Sequence, residues 1–111
     1  MTAQDLALLL KALADPARLR VVELLSESPR RAGELAEDLG LPAPAMSKHL
    51  KALLDAGVVD DERRSEDARV RVFRLRGESV VAVRAWLDQI QAHWDEQLGS
   101  FKAHVERRGR R

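Results

Sequence analysis

The stretch GELAEDLGLPAPAMSKHLKALLDAG, from Gly33 to Gly57, decides the fold of this chain. Its first part places apolar residues at Leu35, Ala36 and Leu39 and then reaches a glycine, which suits a left-handed helix end. Its second part repeats apolar residues every three or four positions, which is the period of a helix with one buried side. Two short helices joined by a tight turn form a helix-turn-helix pattern.

The second of these helices has one apolar side and one side of short or polar residues. Pro44 lies in its first turn, where a missing N–H removes no internal hydrogen bond. At 100° per residue, the apolar side contains Met46, Leu50, Leu53 and Leu54. The opposite side contains Pro44, Ala45, Lys48, Ala52 and Asp55, with Ser47 and His49 at the edges.

Two helices are predicted before this stretch. The first follows a helix-starting box at Thr2 and Asp5 and has leucines at helical spacing, namely Leu6, Leu9, Leu10 and Leu13. Asp15 can cap the second, and Pro16 suits its first position. The residues expected to face inward in this second helix are Leu19, Val22 and Leu25.

The pattern after the stretch changes to that of strands and then returns to that of a helix. Alternating valines and arginines from Arg69 to Val72 predict a half-exposed strand, in a hairpin whose charged tip spans residues 65–68. Beyond Gly77 the helical period continues for roughly 28 residues, a length of about 40 Å. Its apolar residues are too many for a core of this size to cover, so a partner helix is the natural cover and we expect a homodimer.

We therefore predict a single, mostly helical domain over residues 1–111, with the order α-α-α-α-β-β-α and a small β-hairpin wing. The helix-turn-helix is expected at 32–56 and the hairpin at 58–75, with dimerising helices at 3–14 and 78–107. The predicted dimer interface contains Leu6, Leu9, Leu10, Leu13, Val83, Trp86, Leu87, Ile90, Trp94, Leu98 and Phe101.

Composition restricts the function further. The 111 residues contain no cysteine, which excludes disulfides, thiolate metal sites and a cysteine nucleophile. The N-terminal segment lacks a basic region and its apolar run stops at Lys11, so we expect a cytoplasmic protein without a signal peptide or membrane span. The net charge is only +1, but arginines cluster, which indicates a basic face.

Two segments carry a family resemblance. LADPARLRVVELL, which ends at Leu25, and SKHLKALLDAGVV, which begins at Ser47, resemble the ArsR/SmtB family of bacterial repressors. The resemblance covers about residues 8–75 and implies a winged helix-turn-helix that binds double-stranded DNA. The C-terminal helix is similar to a branch without metal-ligand motifs, whose members are often encoded beside START-like, Hsp90-activator-like proteins. The resemblance to the family further implies that positions 43, 44, 47 and 48 touch DNA.

The predicted DNA-binding residues fall into two groups. The N-terminal part of the second helix of a helix-turn-helix enters the major groove, which assigns Ala43, Pro44, Ala45, Ser47, Lys48, His49 and Lys51 to DNA. Apolar groups here can contact a thymine methyl, and Lys48 can reach guanine or a phosphate. Ser47 can instead bond a helix carbonyl, and His49 can be a packing residue. Phosphate contacts are assigned to Arg30, Arg31, Arg63, Arg64, Arg69 and Arg71.

Four functions other than simple DNA binding can be compared with the sequence. His93 and His104 have the spacing of a metal-sensing motif, but Gln91 and Arg107 stand where further ligands would be needed, so we expect no metal and no cofactor. A sensor with an effector pocket lined by Trp86 and Trp94 between the dimer helices remains an alternative, as does a winged helix that binds only proteins. No catalytic arrangement is present, so we do not expect an enzyme. One of two further arginines, Arg18 or Arg20, is expected to form a structural ion pair.

Overall fold

The computed structural model describes residues 2–63 and 70–109. The elements are α1 (Ala3–Leu13), α2 (Pro16–Glu27), β1 (Arg30–Arg31), α3 (Ala32–Leu39), α4 (Ala43–Asp55), β2 (Val59–Arg63), β3 (Arg71–Leu75) and α5 (Gly77–Gly109). This order agrees with the predicted one except for β1, which was not foreseen. The predicted tip of the hairpin, residues 65–68, lies outside the described residues, as do Arg64, Arg69 and the last two arginines.

Local capping explains where the first helices begin and end. The backbone N–H of Asp5 donates to the Thr2 hydroxyl over 3.1 Å, and the N–H of Thr2 donates to the Asp5 carboxylate over 3.0 Å. The carboxylate of Asp15 accepts two backbone N–H groups of the first turn of α2. Gly40 ends α3 with φ 64°, a conformation that favours glycine. The turn between α3 and α4 can therefore be short.

The three strands form one antiparallel sheet in the order β1-β3-β2. Val59 of β2 pairs with Leu75 of β3, and Arg30 of β1 pairs with Phe73 on the other side of β3. Phe73 is 3% exposed because it lies on the central strand and faces the helices' apolar side chains. The short β1 ties the start of α3 to the wing.

The core of the part of the chain up to Val80 is built from one apolar side of each helix and from the strands. Its buried side chains are Leu9, Ala12, Val21, Leu25, Leu35, Ala36, Met46, Leu50, Leu53, Val58, Val59 and Phe73. Met46, Leu50 and Leu53 of α4 are each at most 2% exposed, as the helical period predicted. This burial fixes which side of α4 is left for other contacts.

Two predicted positions are wrong because apolar residues stand on more than one side of each of the first two helices. Leu19 was expected to face inward but is 47% exposed, whereas Val21 is fully buried. Leu9 was assigned to the dimer interface but is 1% exposed in the core, whereas the neighbouring Leu8 is 54% exposed. A leucine-rich helix offers more apolar residues than its core side can hold, so spacing alone does not choose among them.

The part of the chain from Val81 onward is helical to Gly109 and belongs to α5. Every described residue from 87 to 109 is exposed, while Val83 and Trp86 are half-buried. The large apolar side chains exposed between residues 87 and 109, which we call the α5 seam, are Leu87, Ile90, Trp94, Leu98, Phe101 and Val105. Within the described residues, no helix is long and apolar enough to cross a membrane.

Candidate nucleic-acid interface

The exposed side of α4 carries the residues predicted to enter the major groove. Ala43, Pro44, Ser47 and Lys48 are exposed, on the side away from the buried Met46. The helix begins after Pro42, whose carbonyl accepts a hydrogen bond from the backbone N–H of Met46 over 3.1 Å. Ala45 differs from its neighbours because it is half-buried. The first turn therefore offers methyl and ring carbons but no side-chain donor.

Ser47 and Lys48 are the polar groups that α4 presents without a partner. In the described part of the chain, neither side chain makes a hydrogen bond or ion pair. The alternative of a Ser47 hydroxyl bonded to a helix carbonyl is therefore not what the structure adopts. Lys51 differs, because its ammonium lies 3.3 Å from the Asp55 carboxylate one turn later. A lysine without a nearby carboxylate is the better phosphate or base contact, because nothing must be displaced first.

His49 lies on the side of α4 that faces α2. It is half-buried, and its Nδ1 accepts a hydrogen bond from Nε of Arg18 over 3.2 Å. Arg18 also donates from its guanidinium to the carbonyl of Ala12, over 3.5 Å. The structure therefore supports the alternative in which His49 is a packing residue. Sequence reasoning missed this pair, because the two residues are 31 positions apart.

Asp15 lies beside this pair and keeps its charge. Burial acts to raise the pKa of the Asp15 carboxyl, while the hydrogen bonds from the backbone N–H groups of Arg18 and Ala17 act to lower it. The positive charge of Arg18 acts in the same direction, and the pKa of Asp15 lies below its ordinary value. A charged Asp15 caps α2 and thereby fixes the turn that presents Arg18.

The two arginines of β1 have different surroundings. The side chain of Arg30 is 21% exposed, and its guanidinium lies 2.9 Å from the Glu27 carboxylate and 3.2 Å from that of Asp38. It also donates to the carbonyl of Leu24 over 3.3 Å. Arg31 is exposed, and its guanidinium has no ion pair within the described residues. We therefore leave Arg30 out of the proposed interface and keep Arg31.

The wing is less available to phosphates than its sequence suggests. Both Nε and NH2 of Arg71 contact one Asp61 oxygen, at 2.7 and 2.6 Å, and its guanidinium lies 5.2 Å above the Phe73 ring. Arg74 is 2.6 Å from Asp60, a hydrogen bond that raises the pKa of its guanidinium. Arg63 is exposed. The predicted contacts Arg64 and Arg69 lie outside the described residues.

A groove of about 1060 Å³ lies between α3, α4 and β3. Arg31, Ser47, Lys51 and Arg71 line it, but so do the carboxylates of Glu34, Glu37 and Asp55. Alternating charges give the groove no strong positive potential. Lys48 is not among the residues that line this groove and has no ion pair within the described residues.

The residues considered for metal binding do not come together. His93 and His104 are both exposed on α5. Among residues 2–63 and 70–109, no three histidine, aspartate or glutamate side chains are grouped so that they could hold a metal ion.

The predicted ion pair of an arginine in α2 is present, because the guanidinium of Arg20 lies 2.8 Å from the Glu23 carboxylate.

A family model and individual relatives of known proteins both match this chain. The family model of the "Bacterial regulatory protein, arsR family" matches residues 15–61. The HTH-type transcriptional regulator YgaV of Escherichia coli (strain K12) is 39% identical over 90 residues, covering 80% of this chain and 88% of that protein. Further relatives are named transcriptional repressors.

Solved structures with the same fold include regulators of this kind. An ArsR-like transcriptional regulator from Rhodococcus sp. RHA1 has a TM-score of 0.77 and 29% identity, covering 89% of this chain and 91% of its own. The homodimeric winged helix-turn-helix DNA-binding domain Mb0332 of Mycobacterium bovis has a TM-score of 0.64 and 29% identity, with 86% and 82% covered. These similarities span both the helix-turn-helix and the wing.

Proposed function

Because the chain belongs to the arsR family of bacterial regulatory proteins, we propose that it is a homodimeric repressor of its own operon. It binds a near-palindromic operator through α4, with half-sites about one helical turn, or 34–36 Å, apart. We place it in the cytoplasm, where that DNA is found. Its membership of the family confirms the sequence-based predictions of a winged helix-turn-helix transcriptional regulator and of a protein that is not an enzyme.

The observation that carries this proposal is the exposed side of α4. Ser47 and Lys48 stand on a helix whose other side is locked into the core by Met46, Leu50 and Leu53. A helix held in this way can present its side chains at fixed positions to base edges and phosphates.

The α5 seam supports the homodimer. Six large apolar side chains in succession along a helix are each exposed by 47% or more. A seam of this length exposed to water favours burial against a matching helix. A second copy of the same chain offers that helix, and the Mycobacterium bovis relative is homodimeric.

Specific binding can be tested with the DNA that lies upstream of the protein's own gene. Fluorescence anisotropy compares a labelled duplex of that DNA with a scrambled duplex of the same length and composition. We expect the upstream duplex to bind more tightly by about 1,000-fold or more at physiological salt. Equal affinity for both duplexes would contradict the proposal.

Stoichiometry is the matched readout for the dimer. At saturation the upstream duplex should carry two chains, because each half-site takes one α4. One chain per duplex would contradict the proposed homodimer while leaving DNA binding intact.

A further inference from the structure

Hydrogen bonds of one residue, Arg18, connect α4 with α1 and α2. Nε of Arg18 donates to Nδ1 of His49 over 3.2 Å, and NH1 of Arg18 reaches the carbonyl of Ala12 over 3.5 Å. Arg18 lies in the first turn of α2, where its own backbone N–H donates to Asp15. The Arg18 side chain thus links the start of α2 to the end of α1 and to the middle of α4.

The chemistry of this contact fixes the state of the imidazole. A guanidinium only donates hydrogen bonds, so Nδ1 of His49 must carry a lone pair and the ring proton must be on Nε2. A second proton would remove the acceptor and place a cation against Arg18. The contact therefore exists only with neutral His49.

We propose that His49 is a positioning residue, through which Arg18 sets the position of α4 for DNA, and not a DNA contact. The proposal rests on the proposed function, since it concerns how that helix meets an operator. It explains why a half-buried histidine stands among exposed DNA-facing residues. It also predicts that DNA affinity follows the acceptor at Nδ1 and not the polar group at Nε2.

The charged groups around His49 determine how acid acts on it. α2 supplies Arg18 and the Asp15 carboxylate, which interacts with both. α1 supplies Lys11, which with Asp55 lines a shallow cavity on the side of α4 that faces α1. The acids of α3 line the groove beside Leu50 and Leu54 instead, and those of β2 pair with arginines of β3. The direct neighbour that a protonated His49 would meet is Arg18, so acid should weaken the contact.

Two substitutions separate positioning from contact. Asparagine places its carbonyl oxygen near the site of Nδ1, whereas glutamine extends its polar group to the site of Nε2. We expect His49→Asn to bind the upstream duplex within about threefold of the natural protein and His49→Gln to lose about tenfold, or one hydrogen bond. Helix propensity works in the opposite direction, because glutamine is the better helix former. Reduced helix stability therefore cannot produce the expected order.

The pH profile gives a second readout that a merely structural role would not move. Affinity of the natural protein is divided by that of His49→Asn between about pH 8 and about pH 5, the range in which histidine titrates. We expect this ratio to fall on acidification, because protonation breaks the contact with Arg18. A ratio that rises would mean that the imidazolium binds a phosphate, and a constant ratio would mean that the Arg18 contact does not influence α4; both overturn the proposal.

A third measurement does not depend on the variants folding. Two-bond ¹H–¹⁵N correlation of the imidazole rings in the full chain reports which nitrogen of His49 carries the proton, with the signal assigned by its loss in His49→Asn or, if that variant does not fold, in His49→Gln. We expect the Nε2–H form at neutral pH, and the Nδ1–H form would overturn the proposal. If the natural protein fails to bind the upstream duplex specifically, the proposed function fails. Specific binding with glutamine equal to or better than asparagine rejects only the role of His49.

Discussion

Arg30 and Arg31 are adjacent in the chain and have opposite surroundings. The guanidinium of Arg30 lies between the carboxylates of Glu27 and Asp38, whereas that of Arg31 is exposed beside the open groove of α3 and α4. Successive residues of a strand point to opposite sides, and β1 is just long enough to separate them. One arginine therefore holds α2 against α3, and the other remains available to a phosphate.

The two arginines should differ in what their loss changes. Arg30→Met keeps the aliphatic stem but removes two ion pairs and a bond to a carbonyl, so we expect the free energy of unfolding to fall by about 1–3 kcal/mol. Arg31→Met should stay within about 0.5 kcal/mol but bind the upstream duplex more weakly. Urea denaturation and anisotropy measure the two effects. A loss of stability in Arg31→Met together with a loss of DNA affinity in Arg30→Met would contradict these two roles.

The α5 seam should control assembly. Trp94 is 58% exposed, and an aspartate in its place would bring a charge into the proposed helix–helix contact. We expect Trp94→Asp to convert a particle of two chains into one of a single chain in light scattering after size exclusion. Glu96→Lys is the matched control, because two residues along a helix lie about 200° around it. A dimer that tolerates the tryptophan change as well as it tolerates the control would place the interface elsewhere.

The cap at Asp15 should make stability depend on pH at the acid end. Its folded-state pKa is below the ordinary value: burial acts to raise it, and the backbone N–H hydrogen bonds together with nearby positive charge outweigh that effect. Its contribution is therefore complete above about pH 5 and is lost as the pH falls through the lowered pKa. We expect Asp15→Ala to melt at a lower temperature than the natural protein at pH 7, by a margin that shrinks below about pH 4.

The control for the cap is Asp88→Ala, which removes an exposed carboxylate that makes no hydrogen bond or ion pair within the described residues. It should leave the melting temperature nearly unchanged at every pH. A margin for Asp15→Ala that is constant from pH 7 to acid would show that charge plays no part in the cap.

Much of the fold could be predicted because helical period and capping are local. The buried side of α4 follows from the spacing of Met46, Leu50 and Leu53 alone, and Gly40 marked the turn before it. The helical period did not predict the buried residues of α1 and α2 correctly, because leucines occupy more than one side of these helices. Tertiary packing buries Val21 and leaves Leu19 exposed. The strand β1 could not be foreseen, since its two residues pair only with the distant β3.

The site could be predicted by residue type but not by availability. The sequence shows which residues are basic. Whether each of them forms an ion pair depends on acidic residues that folding brings close. Asp61 lies ten positions from Arg71 and on the neighbouring strand, and His49 lies 31 positions from Arg18. Hairpin register places Asp60 opposite Arg74, so the sequence could have suggested that pair.

The most direct test concerns Lys48, because the account gives this residue the clearest access to DNA. The measurement is the affinity for the upstream duplex at several salt concentrations, for the natural protein and for Lys48→Ala, Lys51→Ala and Ala43→Ser. We expect Lys48→Ala to lose about tenfold or more and to reduce the salt slope by about 1, since its ammonium no longer neutralises a phosphate. Lys51→Ala should lose less, because Asp55 already engages that ammonium, and Ala43→Ser least. Equal losses at Lys48 and Ala43, or tight specific binding that barely responds to salt, would contradict the account.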